Sequence, residues 1–200
     1  GLFATLALLS HASIPRADLA YQKSGAAVEA AAITKEKEVE YVAPDTREVV
    51  KHVPLPKQAK IIYMTSCVAG TPSFREKLVK LVDETEINGV ILDIKDYSGT
   101  ISFAPQSAAW QPAWQNARCG ARDMKEFVAE MHAKNIYVIG RITVFQDPFY
   151  ASSHPHLAVK KLDGNTNWKD GKGLSFIDVA AKEYWDHIIE LAKESYNLGF

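Results

Sequence analysis

The chain has 200 residues, 47% hydrophobic and 24% charged, with a formal net charge of −1. That length suits one domain with a sizeable core and a tail. The near-neutral balance, without a sustained Lys/Arg run, excludes the electrostatic footprint of a nucleic-acid binder or of a protein held on an anionic membrane.

Residues 2–9 (LFATLALL) are apolar, and Ser10-His11-Ala12 forms a small-x-small site. Together, residues 1–12 resemble the end of a signal peptide that lacks its basic start. The run is far below the roughly 20 residues of a membrane span. Export, to the cell envelope or beyond, is the first expectation; a clipped anchor and an ordinary N-terminal helix stand beside it. Residues 13–58 read as a disordered, low-complexity linker. Their Ala-rich, alternating-charge and Pro-bearing pieces bury too little apolar surface to offset chain entropy.

The folded part is expected over 59–200. Residues 59–66 (AKIIYMTS) are rich in β-branched and aromatic side chains and predict a strand. Gly70, Thr71 and Pro72 break it. Ser73 with Glu76 fits a capping box. Phe74, Leu78, Leu81 and Val82 follow at helical spacing and predict a helix over 74–84. Residues 89–99 (GVILDIKDYSG) begin as a buried strand and end in charge. Period two puts Val90, Leu92 and Ile94 on one face, and Ile91, Asp93 and Lys95 on the other. An Asp and a Lys on such a strand must pair or meet water.

Residues 100–103 read as a short extended piece, and 104–120 as a long loop holding Trp110 and Trp114. A second helix starts at Asp123 with Glu126 at the box position. Met124, Phe127, Val128 and Met131 form its stripe, Asn135 ends it, and His132 falls on its exposed side. Residues 136–145 (IYVIGRITVF) predict a third strand, with Arg141 and Thr143 on one face. A loop over 146–173 leads to a short extended piece at Phe176-Ile177. Asp178 then caps a third helix, with Ala181, Trp185, Ile188, Ile189, Ala192 and Tyr196 on one face and Gly199 as the stop.

The order β-α-β-α-β-α implies an α/β fold of parallel strands joined by right-handed crossovers. The long loops follow strands, on the C-terminal side where such folds keep their sites. Three βα units leave both sheet edges bare and close no barrel. The chain is therefore expected to be a fragment of a larger domain.

Residues 62–103, 134–148 (KNIYVIGRITVFQDP) and 168–186 (WKDGKGLSFIDVAAKEYWD) resemble the bacterial family described as putative glycosyl hydrolase domains, formerly a domain of unknown function. The resemblance runs from about Lys60 to Phe200. It implies the N-terminal portion, about three βα units, of a (β/α)8 TIM barrel related to the α-amylase-like hydrolases. It also implies a glycoside hydrolase acting on a polysaccharide or cell-wall glycan, with a carbohydrate as partner, no cofactor and no nucleic acid. Glycosidases flank the scissile bond with two carboxyl groups. In α-amylase-like barrels these come from the fourth and fifth strands, so the resemblance places the catalytic residues beyond Phe200. A 200-residue chain without them is expected to be inactive. The alternative is a non-catalytic carbohydrate- or cell-wall-binding module. Cys67 stands where the family more often has an aromatic residue, so one cleft wall is expected to differ.

Asp93, Lys95, Asp96, Arg141, Asp147, Trp168 and Asp170 are the candidates for substrate contact. Each has a structural alternative. Asp93 can pair with Arg141 or Lys95 to fix the core. Asp147, ahead of Pro148, can close its own turn. Trp168, beside Lys169 and Asp170, either stacks on a sugar or anchors its loop. Tyr63 and Thr65 are lumen candidates, with core the favoured place for Tyr63. His154 and His156 flank Pro155 without an acidic or thiol cluster, so a solvated loop and no metal are expected. Cys67 and Cys119 lie in no metal spacing. Two free thiols are expected, with one disulfide as the alternative in an exported chain.

Overall fold

The computed structural model describes residues 50–200. The apolar start over 1–12 and the linker as far as residue 49 lie outside the described residues. Strand β1 (Ile61–Met64) leads through the short helix α1 (Ser66–Gly70) into α2 (Pro72–Glu84). Strand β2 (Gly89–Lys95), α3 (Gln111–Gln115) and α4 (Met124–Ala133) follow. Strand β3 (Tyr137–Ile142), α5 (Pro148–Ser153), a 3-10 turn (Pro155–Leu157) and α6 (Lys182–Leu198) complete the order.

The three strands form one parallel sheet in the order β1-β2-β3. Tyr63 lies opposite Ile91, and Asp93 opposite Arg141; the register then shifts, so that Lys95 faces Ile142. Side chains alternate faces along a strand. Met64, Val90, Leu92, Ile94 and Val138 therefore share one face, and all are buried. They pack with Met124, Phe127, Val128 and Met131 of α4 and with Leu191 of α6 in one core. Gly140 leaves room on this face for Ile94, whose Cδ1 would lie 2.1 Å from a Cβ there and would have to shift.

The other face carries Ile61, Tyr63, Ile91, Asp93, Tyr137, Ile139 and Arg141. Its three isoleucines are only partly buried and join neither core cluster, and Tyr63 and Arg141 are exposed. The second cluster lies beyond the C-terminal end of β3. Ala151, Ala158, Ile177 and Tyr184 pack there with Val144, Phe145 and Tyr150.

Several local expectations are corrected. The strand of 59–66 shortens to Ile61–Met64, because the Thr65 side chain accepts from Val68 N and caps α1. The box at Ser73 does not form: α2 begins at Pro72, with Thr71 as N-cap and no side-chain cap bond. Proline suits a first helical position, since its fixed φ is already helical and its missing N–H has no intrahelical partner to lose. Phe74 and Leu81 are exposed, while Val82 is buried and Leu78 and Val79 pack on the core. Asp123 does precede α4, but its carboxylate leaves the helix end for a two-pronged ion pair with Arg75, at 2.9 and 2.6 Å.

The loops over 104–120 and 146–173 contain α3 and α5. Helix α6 starts at Lys182, because Asp178 accepts from Ala180 N at 2.8 Å and closes a turn of its own. The buried face of α6 is Tyr184, Leu191 and Ser195, with Ile188 partly buried; Trp185, Ile189 and Tyr196 are exposed. The hydroxyls of Tyr184 and Ser195 find acceptors inside, at Val144 O and Leu191 O, so polar-tipped residues displace the more apolar stripe. His132 is partly buried rather than exposed, with its ring 6.3 Å from that of His52. Gly199 ends α6 at φ 111°, in the left-handed region that glycine enters without steric cost.

Cys67 and Cys119 form a disulfide, which corrects the expectation of free thiols. Two glycines explain the approach. A Cβ on Gly70 would lie 2.3 Å from Gly120 O, so only bare backbone lets α1 meet the loop before α4. Residues 50–58 have no regular structure, yet His52 stacks on Tyr196 with ring centroids 4.2 Å apart.

Candidate functional site

Strand β2 delivers two charges to the end of the sheet where α/β folds bind ligands. Asp93 is met from both neighbouring strands. Arg141 Nη1 donates to Asp93 Oδ1 at 2.7 Å, and the Tyr63 hydroxyl donates to Asp93 Oδ2. The parallel register makes this possible, since Arg141 stands directly across from Asp93. Asp93 is nearly sealed, but its partners are open: the Arg141 side chain is 50% exposed and Tyr63 is 48% exposed. Asp93 holds Arg141 above its ordinary value, while burial and then the Asp93 hydrogen bond push Tyr63 up. The result is a polar cluster on the uncovered face, with one guanidinium and one phenol edge able to reach a ligand.

Lys95 and Asp147 have the opposite fate. Both side chains are completely buried, 3.1 Å apart. Lys95 Nζ also donates to Thr143 O at 2.6 Å. Asp147 Oδ1 accepts from Tyr150 N, which caps α5, and Oδ2 lies 2.6 Å from the Tyr184 hydroxyl. Gly99 lets the β2 turn lie against this carboxylate; at φ 87° a Cβ would come 2.0 Å from Oδ1. Burial pushes Lys95 below its ordinary value, against the opposing pull of Asp147. Tyr184 is pushed up by burial first and by Asp147 second. Burial brings His187, packed on Trp110, down to about 4.

Two expected substrate contacts, Lys95 and Asp147, are fully enclosed here and pair with each other, and enclosed charges are stable only when paired and fully hydrogen-bonded. The turn reading of Asp147 and the pairing of Asp93 with Arg141 rather than Lys95 both match the geometry. Tyr63, favoured as core, is on the open face instead, because its hydroxyl turns to Asp93.

Asp96 remains partly exposed; its Oδ1 accepts from Ser98 N and Oγ at 2.8 and 2.5 Å. Trp168 is 42% exposed and leans on Phe176, with ring centroids 5.6 Å apart. Asp170 Oδ1 accepts from Lys172 N and Leu174 N, both at 2.9 Å, and so closes its own loop. No hydrogen bond or ion pair links Trp168 or Asp170 to Asp93 and Arg141. His154 stacks on Tyr150 at 3.8 Å. No group of three or more His, Cys, Asp or Glu among the described residues is placed to hold a metal. Nor is any helix among them long and apolar enough to cross a membrane.

Residues 61–200 match the model of a family described as a putative glycosyl hydrolase domain. Among solved structures, a hypothetical protein from Ruminiclostridium thermocellum ATCC 27405 is 33% identical, with a TM-score of 0.60; the match covers 70% of this chain and 72% of that one. A β-N-acetylhexosaminidase is 16% identical with a TM-score of 0.53, over 70% of this chain and 33% of that one, a likeness of fold. No curated protein matches the chain.

Proposed function

The chain belongs to the putative glycosyl hydrolase domain family, and we propose that it binds a polysaccharide or cell-wall glycan across the open face and C-terminal rim of its sheet. The observation that carries this reading is the Tyr63–Asp93–Arg141 cluster, polar and accessible on a face that no core cluster among the described residues covers. Guanidinium and phenol donors on an otherwise apolar floor suit a sugar, which offers both hydroxyls and an apolar ring face. Asp96 is the rim residue best placed to join them, since it alone of the remaining carboxylate candidates follows a sheet strand directly.

The same face supports a finer reading of the fold. A parallel sheet with helices on one side and a half-bare, partly apolar other side is what the first three strands of a (β/α)8 barrel would present before the remaining strands closed over it. Hydrolysis of a glycosidic bond needs an acid and a base or nucleophile, both carboxyl groups. Asp93 is committed to Arg141 and Tyr63, and Asp147 is sealed. The resemblance to α-amylase-like barrels, whose pair stands on the fourth and fifth strands, puts the catalytic pair of this proposal outside these 200 residues. This chain's part is to bind and orient the sugar. The Cys67–Cys119 bridge supports export, because such bonds persist in oxidising compartments.

Binding and turnover test this separately. The full chain is titrated with chitotriose and maltotriose by NMR and then assayed for released reducing ends. Binding without turnover is expected. Turnover by residues 1–200 alone overturns the placement of the catalytic pair. If neither sugar, nor a panel of cell-wall oligosaccharides, perturbs any residue, the carbohydrate reading falls. A version extended through five further βα units is expected to hydrolyse; binding without hydrolysis there would favour the non-catalytic module.

A further inference from the structure

A second cleft opens at the same end of the sheet. Its volume is about 370 Å³, inside the range of roughly 300–1,000 Å³ in which small-ligand sites fall. One wall comes from the turn after β2, with Asp96, Tyr97 and Thr100; the other comes from Asn116 and Arg118, beyond α3. Ser66 and the Cys67–Cys119 bridge close the back.

We propose that this cleft is a subsite for one neutral pyranose unit of a glycan, with Tyr97 as its stacking platform. It rests on the carbohydrate reading above and adds a place and a chemical class to it. Tyr97 is 58% exposed and meets no other aromatic ring among the described residues. An aromatic face left bare beside polar groups suits a ligand that is apolar on one side and polar at its edge, which describes a pyranose.

The polar atoms have matching vacancies. The Arg118 guanidinium is exposed and makes no ion pair or hydrogen bond with any described residue. Asp96 uses Oδ1 on Ser98 and leaves Oδ2 free. Asn116 donates from Nδ2 to Pro112 O at 2.9 Å, so its Oδ1 is left to accept. The cleft thus offers a fork of donors beside two free acceptors. A hydroxyl both donates and accepts, so a ring of hydroxyls satisfies the two sets together. Asp96 disfavours an anion, and Arg118 a cation.

The bridge contributes rigidity. Cys67 belongs to α1 at the back and Cys119 adjoins the wall of Asn116 and Arg118, so their bond fixes that wall to the back of the cleft before any ligand arrives. A site ordered in advance loses less entropy when it binds.

The experiment is an NMR titration of the oxidised full chain with maltotriose, chitotriose and, as an anionic control, trigalacturonate. Shifts centred on Tyr97, Asn116 and Arg118 are expected for at least one neutral sugar, and weaker ones for the anion. Tyr97→Ala should weaken binding about tenfold, the loss typical of an aromatic anchor, with an unchanged far-UV spectrum. Arg118→Ala should weaken it less. Shifts confined to Tyr63 and Arg141 overturn the subsite but keep the carbohydrate reading. No shifts with any sugar overturn both. A stronger response to trigalacturonate overturns the neutral assignment, and unchanged affinity after reduction overturns the role of the bridge.

Discussion

Asp93 and Lys95 leave the same strand two residues apart, and one pair is open while the other is closed. Asp93 finds Arg141 on the neighbouring strand, and the far side of that pair is solvent. Lys95 finds Asp147 in the loop after β3, and Tyr184 of α6 shuts the space behind it. The difference lies in the cover and not in the charges. Polar residues at the C-terminal end of a parallel strand mark a site only where no later element folds over them; where one does, the same residue types become a brace.

The sharpest way to break this comparison is to remove one member of each pair. Lys95→Ala strands the Asp147 carboxylate in a sealed space and should cost about 3–5 kcal/mol, the usual penalty for an uncompensated buried charge. Urea unfolding followed by far-UV signal measures it. Lys95→Met combined with Asp147→Leu should recover much of the loss, since apolar groups of similar size often replace a buried pair at little cost. If Lys95→Ala were as mild as a surface change, the pair would not be the brace described.

Cleaving the disulfide tests the rim. The bridge joins residues 52 apart in sequence, and its loss should cost about 2–4 kcal/mol. Protein isolated without reductant should show no free thiol, and reduction should lower the midpoint of unfolding. The largest increase in amide exchange is expected in α1 and at residues 96–100 and 116–120. A loss of protection centred on Lys95 and Asp147 instead would mean that the bridge serves the buried brace and not the rim.

The open pair should respond least in stability. Arg141→Ala should cost about 1 kcal/mol or less, because truncating the half-exposed Arg141 opens the Asp93 carboxylate to water while Tyr63 stays bonded to it. It should nevertheless weaken glycan binding. A stability loss equal to that of Lys95→Ala, with binding unchanged, would erase the distinction between the pairs.

Contacts set by repeating geometry are legible in the sequence, and contacts made through loops are not. Strand β2, its two faces and the stripe of α4 follow from periodicity, because those residues meet neighbours through repeating geometry. The Asp93–Arg141 pair was within reach too, as both residues lie on predicted strands. Lys95–Asp147 was not, and Cys67–Cys119 stood only as the alternative to two free thiols. Each joins a regular element to a loop, and a loop's path leaves no period to read. The inward face of α6 was missed for a related reason. Tyr184 points inward because of an acceptor at Val144, 40 residues away, and hydropathy does not register an acceptor.

A milder probe of the closed region is pH. His187 packs against Trp110 and Tyr150 at the edge of the buried pair, and burial holds it down to about 4 from an ordinary 6.5. Asp147 and Glu190 pull it up, while His154 and Lys95 push it further down. Above pH 6.5 the ring is neutral both in the native protein and in the unfolded chain, so it costs nothing there. As pH falls from 6.5 toward 4, the unfolded chain takes up a proton that the native protein refuses, and stability declines through that window. Below about 4 both forms are protonated and the decline from this residue stops. The urea midpoint of the wild type should therefore drop between pH 7 and pH 4 more steeply than that of His187→Gln, with the two slopes meeting outside the window. Arg141, held above its ordinary value by Asp93, stays charged throughout, so Arg141→Ala should leave the contribution of His187 untouched. If that substitution removed the slope instead, the open and closed pairs would be coupled, and the partition between rim and brace would have to be redrawn.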